Sequence, residues 1–198
     1  MKNIFFILVC ISLSFNVLAE SSREKDSHEH GAANVMLAME GEKLQLNFEV
    51  PSESLIGFEH FPKSQDQRWY FNEAIKTLLE PSNLFSVPSN AECLLVGVNV
   101  SQSLFSAEEE HGHDEKDEHG HDEKDEHGHD ESDKTEIHSE FSSKYHWNCE
   151  HLDEIDSIGT QLMNIFPRIE EIRVRWITKN NQGSIELESK NDRIKGWK

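Results

Sequence analysis

Apolar and polar residues alternate with a period of two near the start of the chain. Residues 44–50 have the sequence LQLNFEV, in which every second side chain is apolar, as in a strand that buries one face. Residues 35–39 form a second apolar run, and Gly41 and Glu42 between the runs suit a tight turn. Because Pro51 stops the run at residues 44–50, the pattern predicts a β-hairpin.

The spacing then becomes helical. Residues 64–80 place apolar side chains three and four positions apart, which predicts an amphipathic helix. Ser64 and Gln67 fit a capping box at its start, and Pro81 ends it. The stripe predicted to enter the core comprises Tyr70, Phe71, Ala74, Ile75, Leu78 and Leu79.

Two further strands are predicted at residues 93–104 and 137–149, on either side of a block in which residues 108–133 lack apolar side chains. We expect them to pair antiparallel, with Cys93 near Cys149 at the base and the block at the tip. In perfect register the valine face of the first strand would lie opposite the polar face of the second. A bulge, a sheet covered on both faces, or strands that are not neighbours would each resolve this conflict. The predicted valine face comprises Leu94, Val96, Val98 and Val100.

The last part of the chain predicts a short helix at residues 161–167 and a second hairpin. Ile172, Val174 and Trp176 alternate with arginines, and residues 180–183 suit a turn into a strand at 184–188. The predicted fold class is α+β, an antiparallel sheet with one main helix and a long disordered loop rich in histidine and acid. We expect one domain over residues 20–198, in which residues 106–135 are the disordered insert.

The chain begins with a segment typical of export. Residues 1–19 have one lysine, an apolar run and a small residue at the end, which predicts a secretory signal peptide. The run is too short for a membrane span, so we expect an exported chain without a membrane anchor. Cys93 and Cys149 remain after cleavage, and an even number of cysteines in an oxidising compartment predicts one disulfide.

The formal charge of −19 is concentrated in one segment. Residues 108–133 contain fourteen acidic side chains and only two lysines, so they cannot bury enough apolar surface to fold. Such a charge argues against nucleic acid and against anionic lipid as partners.

Within this segment the unit HGHDEKDE occurs twice and begins a third time. In an extended chain residues i and i+2 point the same way about 7 Å apart, and the glycine between them lets both imidazoles reach one ion. Imidazole suits Zn²⁺, Cu²⁺ and Ni²⁺, and the carboxylates can fill further positions. The alternative is a charged spacer that only keeps the protein in solution. The candidate ligands are His111, His113, His119, His121, His127 and His129.

Other histidines are candidates for a second, ordered metal site. His28 and His30 repeat the His-x-His spacing near the predicted mature N-terminus. The possible secondary ligands are Glu59, His60, His138 and His146, and His151 directly follows the second cysteine.

No catalytic signature is present in the sequence. It contains no HExxH, no G-x-S-x-G and no phosphate-binding loop, and a hydrolytic zinc would require three fixed ligands. We therefore expect a metal-binding protein rather than an enzyme. A nickel or copper buffer, and a structural or interaction module with an acidic loop, remain alternatives.

Several segments resemble the ZrgA-like family of periplasmic zinc-uptake accessory proteins from Gram-negative bacteria. The similarity begins at HEHGAANVMLAMEGEKLQLNFEVPSESLIGFEHFP and continues through AEC, the insert, YHWNC and FPRIEEIRVRWIT. It implies a periplasmic zinc-binding protein that supports an ABC-type zinc importer, whose substrate-binding protein is the candidate partner. His28, His30 and the tract histidines match the metal-binding regions of that family.

Overall fold

The computed structural model describes residues 29–104 and 139–198. The strands are β1 (Ala32–Glu40), β2 (Lys43–Pro51), β3 (Phe85–Ser86), β4 (Cys93–Gln102), β5 (Glu140–Cys149), β6 (Ser157–Thr160), β7 (Glu171–Thr178), β8 (Gln182–Leu187) and β9 (Arg193–Lys195). The helices are α1 (Ser52–Ile56), α2 (Gln65–Leu78), α3 (Pro81–Leu84) and α4 (Leu162–Ile165). Single 3₁₀ turns cover Ser89–Ala91 and Leu152–Glu154. The predicted signal peptide and insert lie outside the described residues.

Two sheets form the architecture, and the predicted α+β class is confirmed. Six strands pair in the order β4-β5-β2-β1-β7-β8, and three more in the order β3-β6-β9. Both predicted hairpins, β1–β2 and β7–β8, are present. The large sheet is mixed rather than antiparallel throughout, because β1 and β7 pair in parallel with Val35 opposite Val174.

Helix α2 begins at the predicted capping box. Ser64 Oγ accepts a hydrogen bond from Gln67 N over 3.1 Å, and Gln67 Oε1 accepts from Ser64 N over 3.3 Å. The predicted core stripe is only partly correct. Tyr70 and Leu79 are 53% and 50% exposed, because the helix reaches the core through the narrower face that carries Ala74 and Leu78.

The core lies between α2 and the face of the large sheet that it covers. From β5, Phe141 and Tyr145 point into it and are fully buried. The ring of Phe71 on α2 lies 5.7 Å from that of Phe141, and the Tyr145 hydroxyl donates to the carbonyl of Leu78 over 2.8 Å. These contacts hold the helix across β5.

The pairing of β4 with β5 confirms the predicted disulfide and resolves the conflict of register. Cys93 and Cys149 lie opposite each other and are bonded. A β-bulge between Leu95 and Gly97 shifts the register by one residue. Val98 therefore faces Tyr145 on the core side. The prediction of one continuous apolar face was wrong, because Leu94 before the bulge and Val96 in it are 70% and 61% exposed.

The registers define two opposite ends of the large sheet. One end collects the first residues of β1 and β5 and the last residues of β2 and β4; Pro51 lies opposite Glu140 there, and Gln102 opposite Phe141. We call it the insert end, because the described chain stops at Leu104 and resumes at Ser139 beside it. The disulfide end is the other one, where Cys93 meets Cys149. None of the helices among the described residues has the length and apolarity of a membrane span.

Candidate metal centre

The residues that the sequence predicts as metal ligands fall into two groups. The six tract histidines, His28 and His138 lie outside the described residues. The described candidates are His30, Glu59, His60 and His146.

His30 lies in the turn that leads into β1. The next residue, Gly31, has a φ of +86°, a conformation that glycine adopts without strain. Gly31 N donates to Ser54 Oγ over 2.9 Å, and its carbonyl accepts from Glu170 N over 2.8 Å. These bonds fix the backbone beside His30, while its side chain stays 56% exposed and accessible to an ion.

Glu59 and His60 follow the end of α1. The helix ends at Gly57, which has a φ of +88°. Glycine adopts this φ without strain, and a Cβ at this position would lie 2.9 Å from the guanidinium carbon of Arg168. The turn directs the chain back toward the start of β1, where Glu59 meets His30.

The orientation of His60 leaves one ring nitrogen available to a metal. Its ring stacks on that of Phe58 with centroids 5.2 Å apart. Nδ1 lies 2.8 Å from the carbonyl of Phe61, and because a carbonyl only accepts, Nδ1 must carry the proton. The neutral ring then has its lone pair on Nε2, which is how many metal-binding histidines are oriented.

The contact between His30 and Glu59 has the spacing of two zinc ligands. His30 Nε2 lies 3.5 Å from Glu59 Oε1. Nitrogen and oxygen ligands of one tetrahedral zinc, each at about 2.1 Å from the metal, lie about 3.4 Å apart. The Glu59 side chain is 18% exposed, so the carboxylate is partly desolvated and attracts a cation more strongly than a fully hydrated one.

Arg173, a cation near the start of β1, is already compensated. It forms ion pairs with Glu29, which precedes β1, and with Glu171, the first residue of β7. Hydrogen bonds to Glu29 and then to Glu171 raise the pKa of the Arg173 guanidinium above its ordinary value. Its charge is therefore balanced by two carboxylates and does not repel an ion at His30.

The insert end brings the predicted metal-binding segments into one region. His30 precedes β1 at this end, and Ser52 N bonds to the carbonyl of Ser139 over 2.8 Å. On the other strand, Ser103 N bonds to the carbonyl of Glu140 over 3.1 Å. Since only β2 separates β1 from β5, their backbones lie about 10 Å apart. Ser139, before β5, is therefore about two strand spacings from the start of β1, and Leu104, after β4, about three.

His146 lies apart from this region. It is on β5 toward the disulfide end, opposite Gly97. It lines a shallow surface pocket together with Lys43, whose positive charge opposes a metal ion. Among the described side chains, no compact group of three candidate ligands includes His146, and none includes His30, Glu59 or His60.

Comparisons with known proteins identify the family. A search among curated proteins finds no match. Residues 27–196 match the family described as ZrgA family zinc uptake protein, which covers the hairpin, the His30–Glu59 contact, the disulfide and the insert. The chain therefore belongs to the ZrgA family of zinc uptake proteins.

Proposed function

We propose that the protein collects Zn²⁺ in the periplasm and supports its delivery to an ABC-type zinc importer. The observation that carries this proposal is the contact of His30 with Glu59 at the insert end, the end of the sheet at which the described chain stops at Leu104 and resumes at Ser139. The family match supports a role in zinc uptake rather than in catalysis. The disulfide agrees with an exported chain, as does the predicted signal peptide.

The histidine tract and the His30–Glu59 pair would have different roles in zinc binding. The tract offers three His-x-His pairs among carboxylates, and a long acidic segment raises the local cation concentration. His30 and Glu59 are held by bonded backbone and lose less freedom when they bind an ion. Zinc would enter through the tract, exchange to His30 and Glu59, and leave to the substrate-binding protein of the importer.

The test of the ordered site uses the full chain with the six tract histidines replaced by asparagine. Adding His30→Asn or Glu59→Gln to this background should weaken zinc binding in isothermal titration by about tenfold or more. Glu188→Gln is the matched control, because it removes the same charge from an exposed carboxylate just beyond β8. Equal zinc affinity in all four proteins would contradict the assignment of His30 and Glu59.

Delivery is tested separately by stopped-flow transfer. The zinc-loaded chain is mixed with the substrate-binding protein of the importer, or with a chelator of equal affinity. Transfer to the binding protein should be faster than to the chelator and should slow in the Glu59→Gln variant. Equal rates to both acceptors would leave zinc binding intact and overturn delivery.

Titration with Cu²⁺ and Ni²⁺ beside Zn²⁺ tests the alternative of a copper or nickel buffer.

A further inference from the structure

The base of the β4–β5 hairpin carries two glutamates and a histidine on a fixed frame. Glu92 directly precedes Cys93, and Glu150 and His151 directly follow Cys149, so the disulfide holds the two segments together. Two backbone bonds extend the frame beyond it. Glu150 N donates to the carbonyl of Glu92 over 3.4 Å, and His151 N donates to that of Ala91 over 3.1 Å.

The three side chains converge at this frame. One ligand atom from each of Glu92, Glu150 and His151 lies within 4.8 Å of the other two. In residues 29–104 and 139–198, this is the one group of three histidine, cysteine or acidic side chains that is so compact. All three are exposed, so an ion can reach them from solvent.

The charges of this group favour a cation. Two carboxylates held this close repel each other, and a bound cation removes the repulsion. Within the described chain, no hydrogen bond or ion pair engages the side chains of Glu92, Glu150 or His151, whereas the nearby Glu154 accepts a hydrogen bond from Asn90 over 3.3 Å. The Glu154 carboxylate therefore holds a neighbouring residue in place, whereas those of Glu92 and Glu150 make no such bond within the described chain.

We infer that Glu92, Glu150 and His151 form an ordered Zn²⁺ site at the disulfide end of the sheet. One imidazole nitrogen with two carboxylate oxygens is a donor set that zinc accepts, while purely oxygen sites favour Ca²⁺ or Mg²⁺. Binding contracts the ligand separations from 4.8 Å or less to about 3.4 Å. Rotation of exposed side chains achieves this without moving the bridged backbone.

The site is separate from the one at the insert end. Strand β4 has ten residues, so the two ends of the hairpin lie about 30 Å apart. Three protein ligands leave a fourth tetrahedral position to water or to a donor atom from another molecule. Such a site exchanges its ion more readily than a closed structural one. It does not depend on the tract or on delivery to an importer.

The test again uses the full chain with the six tract histidines replaced by asparagine, and Zn²⁺ alone as the probe. His151→Asn and Glu150→Gln should each remove one equivalent of bound zinc, or weaken its binding by about tenfold or more. Asp153→Asn is the control for charge and should bind as the background does. Unchanged stoichiometry and affinity in the two site variants would overturn the proposal.

A substitution at Glu92 distinguishes the loss of a metal ligand from the loss of the fold. This residue has a φ of 49°, and among the described residues it is the one non-glycine with a positive φ. Glu92→Gly removes the carboxylate and also relaxes the backbone, so the variant should unfold no earlier than its background while binding zinc about tenfold more weakly or worse. Binding retained in Glu92→Gly would contradict the three-ligand site. Because His30 and Glu59 are intact here, failure of this site leaves the proposed function untouched.

Discussion

Tyr145 is a buried phenol whose ionisation is coupled to folding. Its hydroxyl donates to Leu78 O on α2, and its ring packs 5.8 Å from Phe85 and 5.9 Å from Trp147. Burial raises the pKa of Tyr145 to about 12. The folded state therefore retains a proton that the unfolded chain releases above about pH 10. Its contribution to stability is complete below that pH and is lost between pH 10 and 12.

Replacing this phenol should change the alkaline stability profile. In Tyr145→Phe the fall in unfolding free energy between pH 10 and 12 should be shallower than in the parent. At neutral pH the variant should lose about 1 kcal/mol, because the Leu78 carbonyl loses its donor. Denaturant titrations at several pH values measure both effects. The chain has two tyrosines, and Tyr70→Phe on the exposed side of α2 is the control. Identical alkaline profiles in the two variants would refute the coupling.

The sequence identified individual residues as candidate ligands, but it did not predict which of them contact each other. The His-x-His spacing identified His30, and the GFEHFP segment identified Glu59, yet their 3.5 Å approach depends on the return of the chain after α1. Glu92 and Glu150 carried a signal that was available in the sequence. Each adjoins a cysteine, so the predicted disulfide alone would have placed the two carboxylates side by side.

At the level of elements, the sequence predicted the ends of α2, which depend on residues at those ends. The capping box and Pro81 bounded α2 to within two residues, because both act on the helix ends themselves. The width of the buried stripe of α2 depends on what packs against the helix. Tyr70 was therefore predicted in the core although it is exposed. The register conflict in β4 showed that some irregularity was required. Which residue bulges is decided by the partner strand, so the position of the bulge could not be predicted.

The bulge in β4 makes one residue dispensable. Leu95 lies opposite Trp147 and Gly97 opposite His146, which are consecutive positions on β5. Deleting Val96 joins Leu95 to Gly97 without moving any other pair, so the unfolding free energy should change by no more than about 1 kcal/mol. Deleting Asn99 instead shifts Val100 to the solvent face and should cost roughly 2–4 kcal/mol. Thermal or urea unfolding compares the two; a more stable Asn99 deletion would contradict the register.

For the whole molecule, the fold class followed from the number and type of elements, but the central pairing did not. Hairpins join neighbours in sequence, whereas β1 and β7 pair in parallel across most of the chain. Alternation along each strand is the same whether its partner is parallel or antiparallel. Nothing in either segment therefore encodes the choice, which depends on how the whole core closes.

Zinc release by acid is a property of the whole chain. Zinc binds deprotonated imidazole, whose unperturbed pKa is about 6.5, and neighbouring carboxylates favour the protonated form. The full chain should therefore lose most of its zinc between about pH 7 and 5.5. The protein with six asparagines in the tract should start with fewer bound ions and lose less over the same range. Equilibrium dialysis measures both, and a flat occupancy over this range would show that the tract histidines do not hold the zinc.

The hydrogen bond between Ser103 N and the carbonyl of Glu140 closes the hairpin where residues 105–138 begin and end. Because loop-closure entropy grows only with the logarithm of length, one more eight-residue unit would change the free energy of closure by about 0.2 kcal/mol. Each unit adds a pair of imidazoles. On the proposed function, gain or loss of whole repeats would change zinc capacity in steps of one histidine pair without a compensating mutation in the fold. Natural variants should then differ in repeat number far more readily than in the strands that flank it.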